Sequence, residues 1–463
     1  MIKYIHRFVA ALLLFALALS LAGCGSGKEE PLGERNQYRI HADLDPEAMT
    51  LRFEETLRMR WERPEETQSL YFHLYGNKFG GSRRAEDASI QILSVSDGKG
   101  SAMPYTLEQS DQILRVEINQ ALAQGQELTL HFEGEASIPL MAIEYGHGRD
   151  GEIQLGMFYP QLAVCDDKGW DIAPAQRNGD GRYAEAADFE LTLTAPEVWQ
   201  ILCNGDVVSR ETENGLSTWH FSAPDRREVM FCAFDNYRIL ERDVDGVLLR
   251  GAFNARIPSD AAAAALDDAE AALRFFSETL YPYPYETLTV TNAAWATNAG
   301  YSKEYAGLFT VSIGEEIDVN LHLAAIHEAA HQWFYALVGN DENREPWLDE
   351  SFANFFSYLC LEKTYPEEGS WWKLLKNISD AHAGETINVP ADEAKDYTLT
   401  IYYRGAWFLR QLMETMGEEE FLRRVSEYCT ELAFQNATTQ DFLRIVVRED
   451  PQLLEIAREY LTF

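Results

Sequence analysis

His327-Glu328-Ala329-Ala330-His331, followed after eighteen intervening residues by Glu350 within Trp347-Leu348-Asp349-Glu350-Ser351, decides how the second half of this 463-residue chain is read. On a helix, positions i and i+4 lie about 40° apart, so both imidazoles point at one spot while Glu328 projects beside them. Two histidines and a carboxylate leave the fourth tetrahedral position of a zinc ion open, which marks a catalytic site rather than a structural one. The expected set is therefore one Zn2+ per chain on His327, His331 and Glu350. Glu328 stays free of the metal as general base for a water that zinc acidifies toward neutral pH. Glu350 falls in a second helix-like run, Trp347 to Leu361, opened by Pro346 near its first turn.

Neighbouring residues carry blander readings. His322, five before His327, sits about 140° round the same helix and reads as a surface or packing histidine. Trp333, Phe334, Phe352, Phe355 and Phe356 recur at helical spacing and read as core. Tyr403 reads as packing, Arg404 as the partner of a nearby carboxylate, and Asp349 as a surface group or a support behind the ligands.

The motifs extend beyond the ligands. His327 to Phe334 resembles HExxHQWF, Trp347 to Ala353 is similar to WLNEGFA, and Ile401-Tyr402-Tyr403-Arg404-Gly405-Ala406 resembles VYxKGA. These are signatures of the gluzincin aminopeptidases, relatives of membrane alanyl aminopeptidase and leukotriene hydrolase. The resemblance implies a thermolysin-like, mainly helical zinc peptidase domain acting on peptides, with Tyr402 as the phenol that stabilises the tetrahedral intermediate. It also implies that Glu304 grips the free amino terminus of the substrate. Ser302 to Leu308 keeps that glutamate and the Gly307-Leu308 pair of the family's G-x-M-E-N loop, but lacks its glycine, methionine and asparagine. Gly307 to Val311 is expected to be the strand that lies along the cleft and pairs with substrate backbone. The resemblance runs from about residue 35 to 463, most strongly over 281–410. The chain stops soon after the catalytic domain should finish, so an open cleft without a helical roof is expected.

Lys3 and Arg7 precede an apolar run from Phe8 to Gly23, which reads as a signal peptide over residues 1–23. Leu21-Ala22-Gly23-Cys24 resembles the bacterial lipobox, so Cys24 is the expected lipidation site. Residues 24–35 read as a polar, flexible tether to an extracytoplasmic membrane surface. Removing residues 1–23, which hold two basic and no acidic residues, takes the formal charge from −36 to −38. With no basic cluster to neutralise phosphates, a nucleic-acid role is excluded. Five cysteines follow Cys24, at Cys165, Cys203, Cys232, Cys360 and Cys429. None has C-x-x-C spacing, and an odd count leaves at least one unpaired. Cys203 and Cys232 lie in two strand-like runs where a pairing is open.

The pattern changes character near residue 250. Before it, short alternating segments such as Leu57-Arg58-Met59-Arg60-Trp61, Leu114 to Ile118, Leu128 to Phe132 and Phe189 to Leu193 read as half-buried strands. After it, helices predominate. Ser259-Asp260 is expected to cap an alanine-rich helix running to Leu280, Leu288 to Thr291 to form a strand, and Asn320 to cap the metal-bearing helix, with Gly339 ending it. The expected fold is α+β and multidomain, with a β-rich domain over 36–245 and a thermolysin-like catalytic domain over 246–463. The expected activity is removal of amino-terminal residues from peptides. Alternatives are a zinc endopeptidase with a degenerate amino-terminus loop, and a non-catalytic binding lipoprotein. Retention of both Glu328 and Tyr402 argues against the last, because neither is needed merely to hold a metal.

Overall fold

The computed structural model describes residues 32–79, 89–140, 144–174, 178–294, 301–314, 317–366 and 371–463. The expected signal peptide, Cys24 and the tether as far as residue 31 lie outside the described residues. Residues 35–463 form one compact unit.

Alternation of apolar and polar residues builds the first half. Thr50–Arg60 alternates buried and exposed side chains and turns Leu51, Phe53, Leu57 and Met59 inward. It lies inside a seven-stranded sheet ordered Asp206–Glu213, Leu216–Arg226, Ala187–Pro196, Gln37–Asp45, Thr50–Arg60, Glu127–Ser137, Ser89–Asp97. Every pairing is antiparallel except that of Gln37–Asp45 with Ala187–Pro196, where Gln37 faces Asp188. Two four-stranded sheets share its apolar core. One inward position of Thr50–Arg60 is polar: Glu55 is buried between Ile40 and Phe132 of the flanking strands, and neither of its oxygens has a hydrogen-bond partner among the described residues.

A five-stranded sheet, ordered Tyr237–Val244, Val247–Asn254, Thr287–Asn292, Leu308–Val311, Lys303–Tyr305, opens the second half. Tyr237–Val244 and Val247–Asn254 are the two arms of a hairpin turning at Asp245-Gly246. The boundary expected at 245 therefore falls inside a hairpin, and the second half's sheet begins before it. Leu308–Val311 has a neighbour on each side, so the strand expected to pair with substrate backbone is interior, and the edge strand beside it is Lys303–Tyr305. Helix Ser259–Thr279 packs through Ala261, Ala265, Leu266, Ala269, Ala272, Leu273 and Phe276, whose small residues allow close approach. Its N-cap is Pro258, with no side-chain cap; the Ser259 hydroxyl instead accepts a 2.8 Å hydrogen bond from Arg238.

The halves are joined by three consecutive buried charged residues, Arg226, Arg227 and Glu228. Arg227 donates to Ala184 O and Asn436 Oδ1 at 2.8 and 2.7 Å, and to Gln435 O at 3.0 Å. Gly339 makes this possible, because a Cβ there would lie 2.2 Å from Arg227 Cζ. Cys203 and Cys232 stand on paired strands, but Cys232 faces Leu202 and both remain free thiols. Burial pushes the Cys203 thiol up to about 12. Among the described residues, no helix is long and apolar enough to cross a membrane.

Candidate metal and catalytic site

The helix Val319–Ala330 is capped by Asp318, whose carboxylate accepts from Asn320 N at 3.0 Å and Leu321 N at 3.2 Å. Asn320 is thus inside the first turn rather than the cap, and the helix stops at Ala330, well before Gly339. His331 occupies the C-cap with helical backbone angles, so the i, i+4 register with His327 survives the helix end. Their Nε2 atoms lie 3.1 Å apart, and Glu350 Oε2, from helix Trp347–Thr364, is 3.2 Å from His327 Nε2 and 3.4 Å from His331 Nε2.

Zinc bonded at about 2.0–2.1 Å in a tetrahedron separates its ligand atoms by about 3.3–3.4 Å, so this triangle is the size zinc requires. The donor chemistry agrees. Glu350 Oε2 is buried and, among the described residues, accepts no hydrogen bond. His331 Nδ1 lies 2.9 Å from Phe334 O, an acceptor only, so Nδ1 carries the proton and Nε2 offers its lone pair to the centre. The three residues fit one zinc ion and leave a fourth position for substrate or water.

Around this triangle stand the other expected residues. The ligand-type atoms of Glu304, Glu328 and His331 all lie within 4.8 Å of one another. Burial, with the Glu304 carboxylate second, pushes the Glu328 carboxyl well above the usual range, and among the described residues Glu328 Oε2 has no hydrogen-bond partner. The Tyr402 phenol donates to Glu350 Oε1 and its ring stacks on His327 at 5.8 Å. Burial and then the Glu350 charge raise the Tyr402 phenol, which keeps it a donor.

Tyr402 lies on a π-helical turn, Thr398–Arg404, whose carbonyls are claimed by the glutamate-bearing helix: Ser351 Oγ donates to Ile401 O at 2.7 Å and Asn354 Nδ2 to Tyr402 O at 2.9 Å. Gly405 lets the two segments touch, since a Cβ there would lie 1.9 Å from Ser351 Oγ. Asp349 is buried and accepts from Glu350 N at 2.7 Å, which excludes the surface reading. Arg404 departs from expectation. It is buried over the Tyr460 ring and donates to the backbone oxygens of Glu385, Ser379 and Glu459, with no carboxylate partner among the described residues. His322 bonds Asp268 at 2.8 Å and packs on Tyr365, away from the ligands. Trp333, Phe334, Phe352, Phe355 and Phe356 are all core, and Tyr403 packs against it.

Glu304 is buried on the sheet's edge strand rather than exposed, and it is not free. Arg182 donates to its carboxylate and, at 3.1 Å, to its backbone oxygen; Lys303 Nζ lies 3.1 Å from Glu304 Oε1 and 2.6 Å from Asp180 Oδ1. Burial alone would raise the Glu304 carboxyl, but Lys303 and then Arg182 outweigh it and hold it down to about 2. Neither cation was singled out from the sequence. Lys303 adjoins Glu304 and was findable; Arg182 arrives from 122 positions away and carried no local signal.

Residues 313–460 match the peptidase family M1 domain. Aminopeptidase M1-B of Oryza sativa subsp. japonica is 26% identical over 292 residues, covering 57% of this chain and 32% of its own. Aminopeptidase M1 of Arabidopsis thaliana is 25% identical over 386 residues, covering 77% and 42%. The chain thus spans less than half the length of these relatives. Among solved structures, the M1 zinc metallopeptidase from Deinococcus radiodurans superposes with a TM-score of 0.66 at 17% identity, covering 92% of this chain and 94% of that one. A point mutant of it bound to a Tyr-Ser-Ala substrate gives a TM-score of 0.68. The gluzincin resemblance of the motifs is thus supported: residues 313–460 match a peptidase family M1 domain, and the fold is that of the M1 zinc metallopeptidase structures.

Proposed function

We propose that this chain is a zinc aminopeptidase that removes residues from the amino termini of peptides. The observation that carries the reading is the His327–His331–Glu350 triangle with Glu328, Tyr402 and Glu304 gathered on it. A zinc ion on that triangle supplies a Lewis acid for the scissile carbonyl and lowers the pKa of water. Glu328 takes the proton of the attacking water and delivers it to the leaving amine. The Tyr402 phenol donates to the carbonyl oxygen as negative charge develops there. Glu304 orients the substrate ammonium, which shares its carboxylate with Arg182 and Lys303.

The test is a comparison of a free aminoacyl amide with its N-acetylated form on protein of measured zinc content. Hydrolysis of the free amine alone is expected. Equal cleavage of both, or of the blocked form only, overturns the aminopeptidase reading. One observation favours the endopeptidase alternative: Arg182 and Lys303 already neutralise the carboxylate meant to receive an ammonium.

For location, we propose export and lipidation at Cys24, supported by the apolar run and lipobox-like residues 21–24. Labelling by a palmitate analogue that persists in a Cys24→Ser variant would refute it.

A further inference from the structure

Tyr335, four residues beyond His331, has φ 141°, a region that side chains other than glycine rarely enter. Three anchors keep it there. Its N–H donates to Val338 O at 2.9 Å. Its carbonyl accepts from Arg227 Nε, which also reaches Ala336 O at 3.2 Å. Its phenol donates to buried Glu228, whose other oxygen accepts from Ala306 N at 2.8 Å.

The rotation φ of Tyr335 sets the plane of the peptide before it, and that peptide carries Phe334 O, the acceptor 2.9 Å from His331 Nδ1. We propose that Tyr335, braced by Arg227 and Glu228 from the first half of the chain, is a positioning residue for the metal ligand His331. The strained backbone turns Phe334 O toward the imidazole, and the imidazole is thereby held with Nε2 on the centre. A residue supporting a ligating histidine in this way typically changes metal affinity by about 10–100-fold. Relaxation of Tyr335 to negative φ would swing Phe334 O off His331 Nδ1.

The inference rests on the metal reading of the site, so the wild-type protein is measured first, by competition for zinc against a chromophoric chelator. Absence of zinc binding by the wild type would refute the metal reading itself. Given binding, Tyr335→Phe, which removes the one side-chain anchor of the strained conformer, its bond to Glu228, is expected to weaken zinc affinity about 10–100-fold. Tyr335→Gly, which adopts this φ without strain, is expected to stay much nearer the wild type than Tyr335→Phe does. An unchanged affinity in Tyr335→Phe, with only a lower melting temperature of the metal-free protein, would mean that Tyr335 is packing alone and would overturn the proposal. Equal weakening in the Phe and Gly variants would likewise remove the backbone argument. Should Tyr335→Gly fail to fold, the Tyr335→Phe result decides.

Discussion

At the scale of single residues, the proposed function separates groups that would hold a metal from groups that would do chemistry, and substitutions should divide the same way. Glu328→Gln is expected to lower kcat by about 10²–10⁴-fold while metal analysis still finds one zinc, because in the proposed reading the metal sits on the His327–His331–Glu350 triangle and Glu328 acts beside it as the base. Tyr402→Phe should cost about 10²–10³-fold in kcat with KM little changed, if its phenol acts on charge that exists only in the transition state. Lys303 allows a prediction of gain. Its ammonium lies 3.1 Å from Glu304, where a substrate amine would bind, so Lys303→Met should lower KM for free aminoacyl substrates. A KM that stays put or rises would show that Lys303 does not compete with substrate.

At the scale of elements, the residue that brings Tyr402 to Glu350 is Gly405. With a Cβ only 1.9 Å from Ser351 Oγ, Gly405→Ala must push the π-helical turn off the helix that carries Glu350. Overpacking of this kind typically costs about 1–3 kcal/mol, and here it should also reduce kcat with zinc affinity nearly unchanged, since neither histidine lies on the displaced segment. A variant as active as the wild type would mean that the contact is dispensable. The meeting of the two candidate ligands His327 and His331 was legible in the sequence because i, i+4 spacing is local. The cap was not: Asp318 and Asn320 are both capping types two positions apart, and the choice between them depends on where the preceding chain turns. Strand 237–244 alternates like the strands before it, and alternation does not say which sheet a strand joins. Arg182, Arg227 and Glu228 were invisible for a related reason, since long-range ion pairs and carbonyl contacts leave no period in a sequence.

At the scale of the whole molecule, Glu55 places a carboxyl without a hydrogen-bond partner among the described residues in the apolar core of the first half. Burial raises its carboxyl well above the ordinary range, so the folded protein favours the protonated form. The sign follows from linkage: its contribution is fully present below the carboxyl's unfolded pKa and is lost as pH rises toward its folded value. Glu55→Leu should therefore raise the melting temperature at neutral pH, by an amount corresponding to about 1–3 kcal/mol, with the gain shrinking as pH falls to 4. A pH-independent gain would place the effect in packing rather than in titration.

The hairpin at Asp245-Gly246 and the Arg226–Glu228 stretch reach across the division that composition suggests. A calorimeter should accordingly record one heat-absorption peak for residues 35–463 rather than two. Expression of 246–463 alone should give insoluble material, because it would expose a sheet edge stripped of its outer strand and leave behind the arginine that Gly339 makes room for.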